Sequence, residues 1–193
     1  LLETNFELLD EIYITLEEQI DRIFDVLESE DTSKKILVKE IQDVFTNAIQ
    51  RYIDVLTSEF SSENKCRISI WRVSKDNDSK LNIVARSSSF LRSSTLELDV
   101  NNSIAGRALR KKIKQFSKKL DSDPDWTKYF QESHYKAISA FPLIDEKVVT
   151  IDYKNVPTNV EDRLSELIVD GISNILHRIS HVEIFISILE EEI

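Results

Sequence analysis

Both ends of this chain carry hydrophobic residues at the spacing of long amphipathic helices. In residues 1–27 the steps between apolar positions alternate between three and four, which is the heptad pattern of a helix that packs along one seam. Residues 37–55 repeat this spacing, and residues 160–193 continue it to the end of the chain. At about 1.5 Å per residue the last helix is expected to be roughly 50 Å long, so its distal half requires a helical partner.

Between these helical runs the pattern changes to that of β-strands. Residues 66–73 and 81–86 alternate apolar and polar positions, and residues 138–143 and 148–153 are short runs rich in β-branched side chains. Only residues 144–147 separate the last two runs, which predicts a hairpin with a charged turn. Strands in this order, interrupted by helical inserts, indicate an antiparallel α+β domain.

Two helical inserts and a capped C-terminal helix are predicted around these strands. Residues 102–112 form the first insert, and the second begins at Asp123, because Asp favours the cap position and the proline after it favours the first helical position. After the hairpin, Thr158 and Glu161 have the spacing of a capping box, in which each side chain accepts a hydrogen bond from the other residue's backbone N–H group. The C-terminal helix is therefore predicted to begin near Val160.

Charge and cysteine content narrow the expected partners and compartment. The formal net charge of −10 disfavours general nucleic-acid binding and contact with anionic membranes, because both need a concentrated basic surface. No apolar run approaches the ~18 residues of a membrane-spanning helix, so no direct membrane insertion of this segment is expected. A single cysteine, Cys66, cannot form an internal disulfide, and we expect a cytoplasmic location.

Residues with catalytic chemistry are few and scattered. His177 and His181 are four residues apart, a spacing that can bind a metal, but no supporting motif accompanies them, and they are interpreted as solvated helix residues. The 2 glycines of the chain are too few for a phosphate-cradling loop, and no nucleophile elbow is present. The sequence therefore predicts a protein that is not an enzyme, and it identifies no cofactor.

The order of these elements resembles a GAF domain of the bacterial sensory type. The residues that carry the resemblance are the paired strands after a helix, the small-residue turn Ile104-Ala105-Gly106, and the strand that ends in Ile151-Asp152 before a Pro-containing loop and a last helix. The resemblance implies an antiparallel, PAS-related GAF-like sheet flanked by helices, with long N- and C-terminal helices.

The same resemblance divides the chain into three segments. Residues 1–31 are expected to form a coiled-coil-like N-terminal helix, residues 32–180 the GAF-like domain, and residues 181–193 an extension of the C-terminal helix. Methionine-sulfoxide reductases of the family work through several cysteines, and bilin-carrying members attach the pigment through a cysteine beside the pocket. Cys66 is alone and on the first strand, so neither activity is expected.

The candidate ligand site combines a basic residue of the first insert with the end of the second strand. A run of basic residues begins at Arg107, and most of them are interpreted as exposed. Arg107 lies one turn after Ile104, in the helix that corresponds to the one bordering the pocket of GAF domains, and its side chain is expected to point inward. Our hypothesis is that Arg107 contacts a small anion together with Arg86, Ser87 and Ser88, because local positive potential attracts such ligands.

Aromatic side chains of the second insert are the other candidate element of the pocket. Trp126, Phe130, His134 and Tyr135 are candidates for a lid that closes over a ligand. The alternative, favoured for Trp126 and Phe130, is packing in the core, as is usual for aromatic residues at helical spacing.

Two functions remain open. In the first, a sensory or regulatory domain binds a small molecule and passes the signal through dimerising helices to an output domain outside this sequence. In the second, the domain is a dimerisation scaffold that binds no ligand. Both predict a homodimer formed through the N- and C-terminal helices.

Overall fold

The computed structural model describes residues 34–58, 65–88, 96–126 and 135–191, together with eight residues between positions 7 and 21, which are helical. Most of the predicted N-terminal helix lies outside these described residues. The helices are α1 (Lys34–Ser58), α2 (Ile104–Lys111) and α3 (Asn159–Glu191), with a 3-10 turn at Leu120–Ser122. The strands are β1 (Cys66–Val73), β2 (Lys80–Arg86), β3 (Glu97–Asp99), β4 (Gln115–Ser117), β5 (Ala137–Pro142) and β6 (Lys147–Tyr153).

These strands form one sheet in the order β3-β2-β1-β6-β5-β4, and every neighbouring pair is antiparallel. The antiparallel α+β fold predicted from the sequence is confirmed. The predicted hairpin is β5–β6, and it turns through Asp145 and Glu146, whose φ angles are 54° and 55°. Positive φ angles at both central residues match the right-handed twist of the flanking strands, so the charged turn closes the hairpin without a glycine.

The two faces of the sheet have different neighbours, because successive side chains of a strand point to opposite sides. On the face that we call the α2 face, Trp71 and Val148 lie in a buried cluster with Ile104 of α2. On the opposite face, the Tyr153 hydroxyl lies 2.7 Å from the Ser165 hydroxyl of α3. The candidate site lies on the α2 face.

Side-chain caps fix where the helices begin. The Gly106 N–H group donates to the Ser103 hydroxyl at 3.0 Å, so α2 begins at Ile104, two residues later than predicted. The capping box at the start of α3 is confirmed: the Thr158 N–H group donates to Glu161 Oε2 at 2.8 Å, and the Glu161 N–H group donates to Thr158 Oγ1 at 3.3 Å. The helix accordingly begins at Asn159, next to the predicted start.

Three features differ from the prediction. The two edge strands, β3 and β4, were not predicted, since three residues are too few for a recognisable alternation. The helix predicted to begin at Asp123 is wrong over its described part. There the Asp125 N–H group donates to the Asp123 carboxylate at 3.0 Å and the Trp126 N–H group donates to the Asp123 carbonyl at 3.1 Å, which makes turns instead.

The chain divides into two compact units, one formed by residues 1–52 and 170–193 and the other by residues 53–169. The sheet and α2 belong to the second unit. The division at residues 31 and 180 stays a prediction. Among the described residues, no helix has both the length and the apolar content needed to cross a bilayer.

Candidate functional site

A row of polar side chains crosses the α2 face of the sheet between β1 and β6. The register places Arg67 directly opposite Asp152 and Ser69 directly opposite Thr150, so these four polar side chains are neighbours across the two strands. Trp71 is next along β1, and its indole N–H group donates to the Thr150 hydroxyl at 2.9 Å. The polar row therefore borders the largely apolar cluster that contains Trp71.

The charged members of this row form a buried ion pair. Arg67 Nε donates to Asp152 Oδ2 at 2.5 Å, and the two side chains are 12% and 4% exposed. The Arg67 guanidinium also lies 4.7 Å from the centre of the Tyr135 ring, within the range of a cation–π contact. Burial raises the pKa of the Asp152 carboxyl, and the opposing effect of the Arg67 charge and hydrogen bond is smaller.

A small pocket opens against this row. It holds about 40 Å³ and is lined mostly by apolar residues, including Trp126 from the segment after the 3-10 turn. A volume of this size holds a water molecule or a few ligand atoms. Its lining residues are Arg67, Ser69, Trp71, Ile83, Leu96, Leu98, Trp126, Ile138 and Asp152.

The structure places Arg107 in an ion-pair cluster of its own. Its guanidinium donates to both carboxylate oxygens of Asp123 at 3.0 and 2.9 Å, and it lies 3.1 Å from Asp125. Hydrogen bonding to Asp123 raises the pKa of Arg107. Burial acts to raise the pKa of Asp123, but hydrogen bonds from Arg107, Ser117 and the Asp125 backbone lower it overall. Arg107 points inward as expected, and two carboxylates already neutralise its charge.

The other three predicted anion contacts, Arg86, Ser87 and Ser88, have different surroundings. The Ser88 N–H group donates to Asp54 of α1 at 2.7 Å, and the Ser88 hydroxyl donates to the same carboxylate. The Ser87 N–H group donates to the Ile68 carbonyl at 2.9 Å, while its hydroxyl is buried without a partner among the described residues. Arg86 stands opposite Ser69 in the register.

The remaining site predictions have mixed outcomes. Ile104 is 2% exposed and belongs to the core cluster with Trp71. Trp126 lines the pocket and packs against the same cluster, and its role as a lid over a ligand stays a prediction. Phe130 and His134 lie outside the described residues.

Sequence reasoning missed Arg67 as a member of the site and treated Asp152 only as the end of a strand. A signal was present in the alternation of β1, where Arg67, Ser69 and Trp71 occupy the same face. A charged residue that shares a strand face with a large apolar residue such as Trp71 is expensive to bury without a partner, and it therefore indicates either an ion pair or a site.

Cys66 lies on the face of β1 opposite to this pocket, since it alternates with Arg67 and pairs with Tyr153. The thiol is buried, and burial together with the nearby Asp152 charge raises its pKa. Reactivity of a cysteine depends on its thiolate form, so this environment makes the thiol a weak nucleophile.

The fold is similar to several solved structures. The GAF domain/HD domain protein from Geobacter sulfurreducens matches with a TM-score of 0.59 and 14% identity, over 76% of this chain and 98% of that chain. The free methionine-R-sulfoxide reductase of Neisseria meningitidis, solved in complex with its substrate, matches with a TM-score of 0.57 and 11% identity, over 80% and 96%. The type II free methionine-R-sulfoxide reductase of Thermoplasma acidophilum matches with a TM-score of 0.55 and 14% identity, over 70% and 94%.

The sequence itself matches no family model and no curated protein. The structural similarities show that the chain has a GAF-like fold. The same fold occurs in GAF domains and in reductases, so the fold alone does not separate a regulatory domain from an enzyme.

Proposed function

We propose that this protein is a non-catalytic sensory or regulatory domain that binds a small ligand on the α2 face of its sheet. The observation that carries the proposal is the buried pair of Arg67 and Asp152 in the wall of the pocket. A buried ion pair is weak evidence for stability, because desolvation offsets most of its attraction. Its position beside Trp126 gives a ligand one charged and one aromatic surface, which is the composition of many small-molecule sites.

Contacts between the segment after α2 and the C-terminal helix support a regulatory role. Lys114, which follows α2, donates to Asp162 at 2.9 Å and to Glu166 at 2.8 Å on the first turns of α3. Its ammonium group also lies 5.0 Å from the centre of the Phe141 ring on β5. A ligand that shifts α2 would change these contacts and thereby the populations of two positions of α3.

The test is a thermal-shift screen of the full chain against nucleotides, amino acids and tetrapyrroles, followed by titration of each compound that raises Tm. We expect Trp126→Ala and Asp152→Asn to weaken the binding of such a compound. Asp76→Asn, in an exposed loop, is the matched control and should leave it unchanged. Binding that is equal in all three variants would refute this location of the site.

The scaffold without a ligand is the second candidate, and the size of the pocket favours it. A cavity of about 40 Å³ needs rearrangement before it admits a whole metabolite, and Arg67 and Asp152 already satisfy each other. In that case no compound raises Tm, and replacing the pair by apolar residues leaves the oligomeric state unchanged.

The proposal that the domain is not an enzyme is supported by the position of Cys66. The only cysteine of the chain is buried on the face away from the pocket, with a raised thiol pKa. Reduction of free methionine sulfoxide by the full chain in the presence of a thiol reductant tests it. Turnover that is lost in Cys66→Ser would overturn it.

The heptad spacing of both terminal regions supports a homodimer formed through the N- and C-terminal helices. The single cysteine is consistent with a cytoplasmic location. Sedimentation of the full chain, compared with a form truncated after Ser180, tests the assembly. A dimer that becomes monomeric on truncation is expected, and two monomeric species would refute the coiled-coil interpretation.

A further inference from the structure

A second, larger cleft lies at one end of the sheet and is lined by lysines. It holds about 1010 Å³, and its wall includes the partly buried Tyr135 and the buried Leu120. None of its lining residues belongs to the pocket on the α2 face. We call it the lysine cleft, because its lining includes five lysines: Lys65, Lys118, Lys119, Lys136 and Lys154.

The strand register explains why these lysines converge. Lys65 precedes β1, Lys154 follows β6 and Lys136 precedes β5, and these strands are adjacent in the sheet. The Lys154 N–H group donates to the Lys65 carbonyl at 3.1 Å, and the Lys136 N–H group donates to the Tyr153 carbonyl at 2.9 Å. The pairing therefore continues one step beyond the strands and sets three lysines side by side. Ser117 of β4 lies opposite Ile138 of β5. If this register is continued by two residues, Lys119 lies opposite Lys136 and joins the same row.

The charge of this row is not neutralised within the described residues. No carboxylate there forms an ion pair with any of the five lysines, and Asp121 is the one acid among the lining residues. Two other basic residues of this region differ: Arg107 is paired with Asp123, and Lys114 is paired with Asp162. Like charges placed directly opposite each other across strands destabilise a sheet, so the row carries a cost that a bound anion would remove.

We propose that the lysine cleft binds a small soluble polyanion with two or more phosphate groups. Adjacent strands are about 4.8 Å apart, so a row across four strands spans roughly 14 Å, more than one phosphate group can contact. The cleft volume lies at the upper end of the range of small-molecule sites, and its concave shape suits a compact solute better than a flat bilayer. Lysine ammonium groups are compact point charges that bind phosphate without a fixed geometry, which suits a flexible polyphosphate chain.

The test is calorimetric titration of the full chain with inorganic tripolyphosphate. We expect saturable binding that weakens when salt is raised from about 50 mM to about 200 mM, because the contacts are electrostatic. Lys136→Gln/Lys154→Gln should weaken binding by about tenfold or more, since it removes two charge-assisted contacts. Lys75→Gln/Lys111→Gln makes the same change in net charge at exposed positions outside the cleft and should bind as the unmodified chain does.

Three results would overturn the proposal. They are the absence of tripolyphosphate binding at low salt, equal loss in the two double variants, and binding to vesicles of phosphatidylserine and phosphatidylcholine without binding to tripolyphosphate. The last result would assign the row to a membrane surface.

A second measurement separates ligand binding from a structural role of the lysines. Without polyanion, Lys136→Gln/Lys154→Gln should unfold at a higher temperature than the unmodified chain, because repulsion in the row is reduced. With tripolyphosphate the order should reverse. A lower Tm in the absence of polyanion would contradict the repulsion on which the proposal depends.

The lysine cleft is independent of the function proposed for the α2 face. Trp126→Ala removes a side chain of the pocket and leaves every lysine of the cleft in place, so tripolyphosphate affinity should not change. Failure of tripolyphosphate binding with a successful ligand screen would refute only the lysine cleft. Tripolyphosphate binding together with a ligand screen that finds no compound for the pocket would refute only the pocket.

Discussion

Arg67 and Asp152 stand directly opposite each other on β1 and β6, and their side chains join at 2.5 Å in the wall of the pocket. A cross-strand ion pair on a buried face is held by the sheet itself, because the hydrogen-bond ladder fixes both Cα atoms. The pair therefore resists reorganisation unless a ligand offers one of its members a better partner.

Removing one member of the pair should destabilise the domain far more than replacing both. Asp152→Ala leaves the Arg67 charge buried without its carboxylate, and we expect the free energy of unfolding to fall by about 3–5 kcal/mol. Arg67→Met/Asp152→Leu removes both charges and should recover most of that loss. Urea unfolding of the three proteins measures the difference. An Asp152→Ala variant as stable as the unmodified chain would show that water solvates Arg67 at this site.

The capping box at the start of α3 gives a smaller and more local prediction. Thr158→Ala removes the hydroxyl that accepts from the Glu161 N–H group at 3.3 Å and should cost about 1 kcal/mol of unfolding free energy. Thr158→Ser keeps an acceptor and is the control, so it should lose much less. If the two variants are equally destabilised, the methyl group of Thr158 matters more than its cap.

The parts of the fold that could be predicted from the sequence are those with local signals. Strand β1, the β5–β6 hairpin and the cap of α3 each depend on residues within a few positions of one another, and alternation or capping chemistry identifies them. The edge strands β3 and β4 could not be predicted in this way. Each has three residues, and its pairing is decided by a neighbour distant in sequence.

The candidate site was harder to predict because its contacts are distant in sequence. Arg67 and Asp152 are 85 residues apart, and only the register of β1 against β6 brings them together. The sequence does not reveal that Arg107 is neutralised within the chain, because Asp123, the acid that binds it, lies 16 residues further on, in a segment predicted to be helical. There the same carboxylate closes a turn and binds the guanidinium.

The Asp123 carboxylate should make stability depend on pH in the acid range. Its pKa in the folded protein lies below the ordinary value of 3.8, so it contributes stability that is fully present above that value and is lost as pH falls through the lower folded pKa. Urea midpoints measured from about pH 6 down to about pH 3 should fall less steeply in Asp123→Asn than in the unmodified chain. Asp76→Asn, in an exposed loop, is the control. If the urea midpoints of Asp123→Asn and the unmodified chain fall in parallel with pH, the lowered pKa of Asp123 is refuted.

Glycine is required at Gly106 because α2 approaches the backbone of the preceding loop there. A Cβ atom at this position would overlap the Val100 carbonyl oxygen. An alanine in place of glycine inside a helix ordinarily stabilises it by about 1 kcal/mol. Here the overlap reverses the sign, and we expect Gly106→Ala to lower the unfolding free energy by about 1–3 kcal/mol.

The second glycine provides the comparison that tests this explanation. A Cβ atom at Gly171 would meet the hydroxyl of Tyr52, which is the end of a side chain and not backbone. Gly171→Ala should therefore be destabilising alone and much less so together with Tyr52→Leu, because the shortened side chain leaves room. No side-chain truncation relieves a backbone overlap, so Gly106→Ala should keep its full cost when Arg110, which donates to the same Val100 carbonyl, is changed to alanine. Rescue by Arg110→Ala would place the cause of the loss in the arginine contact instead of the backbone.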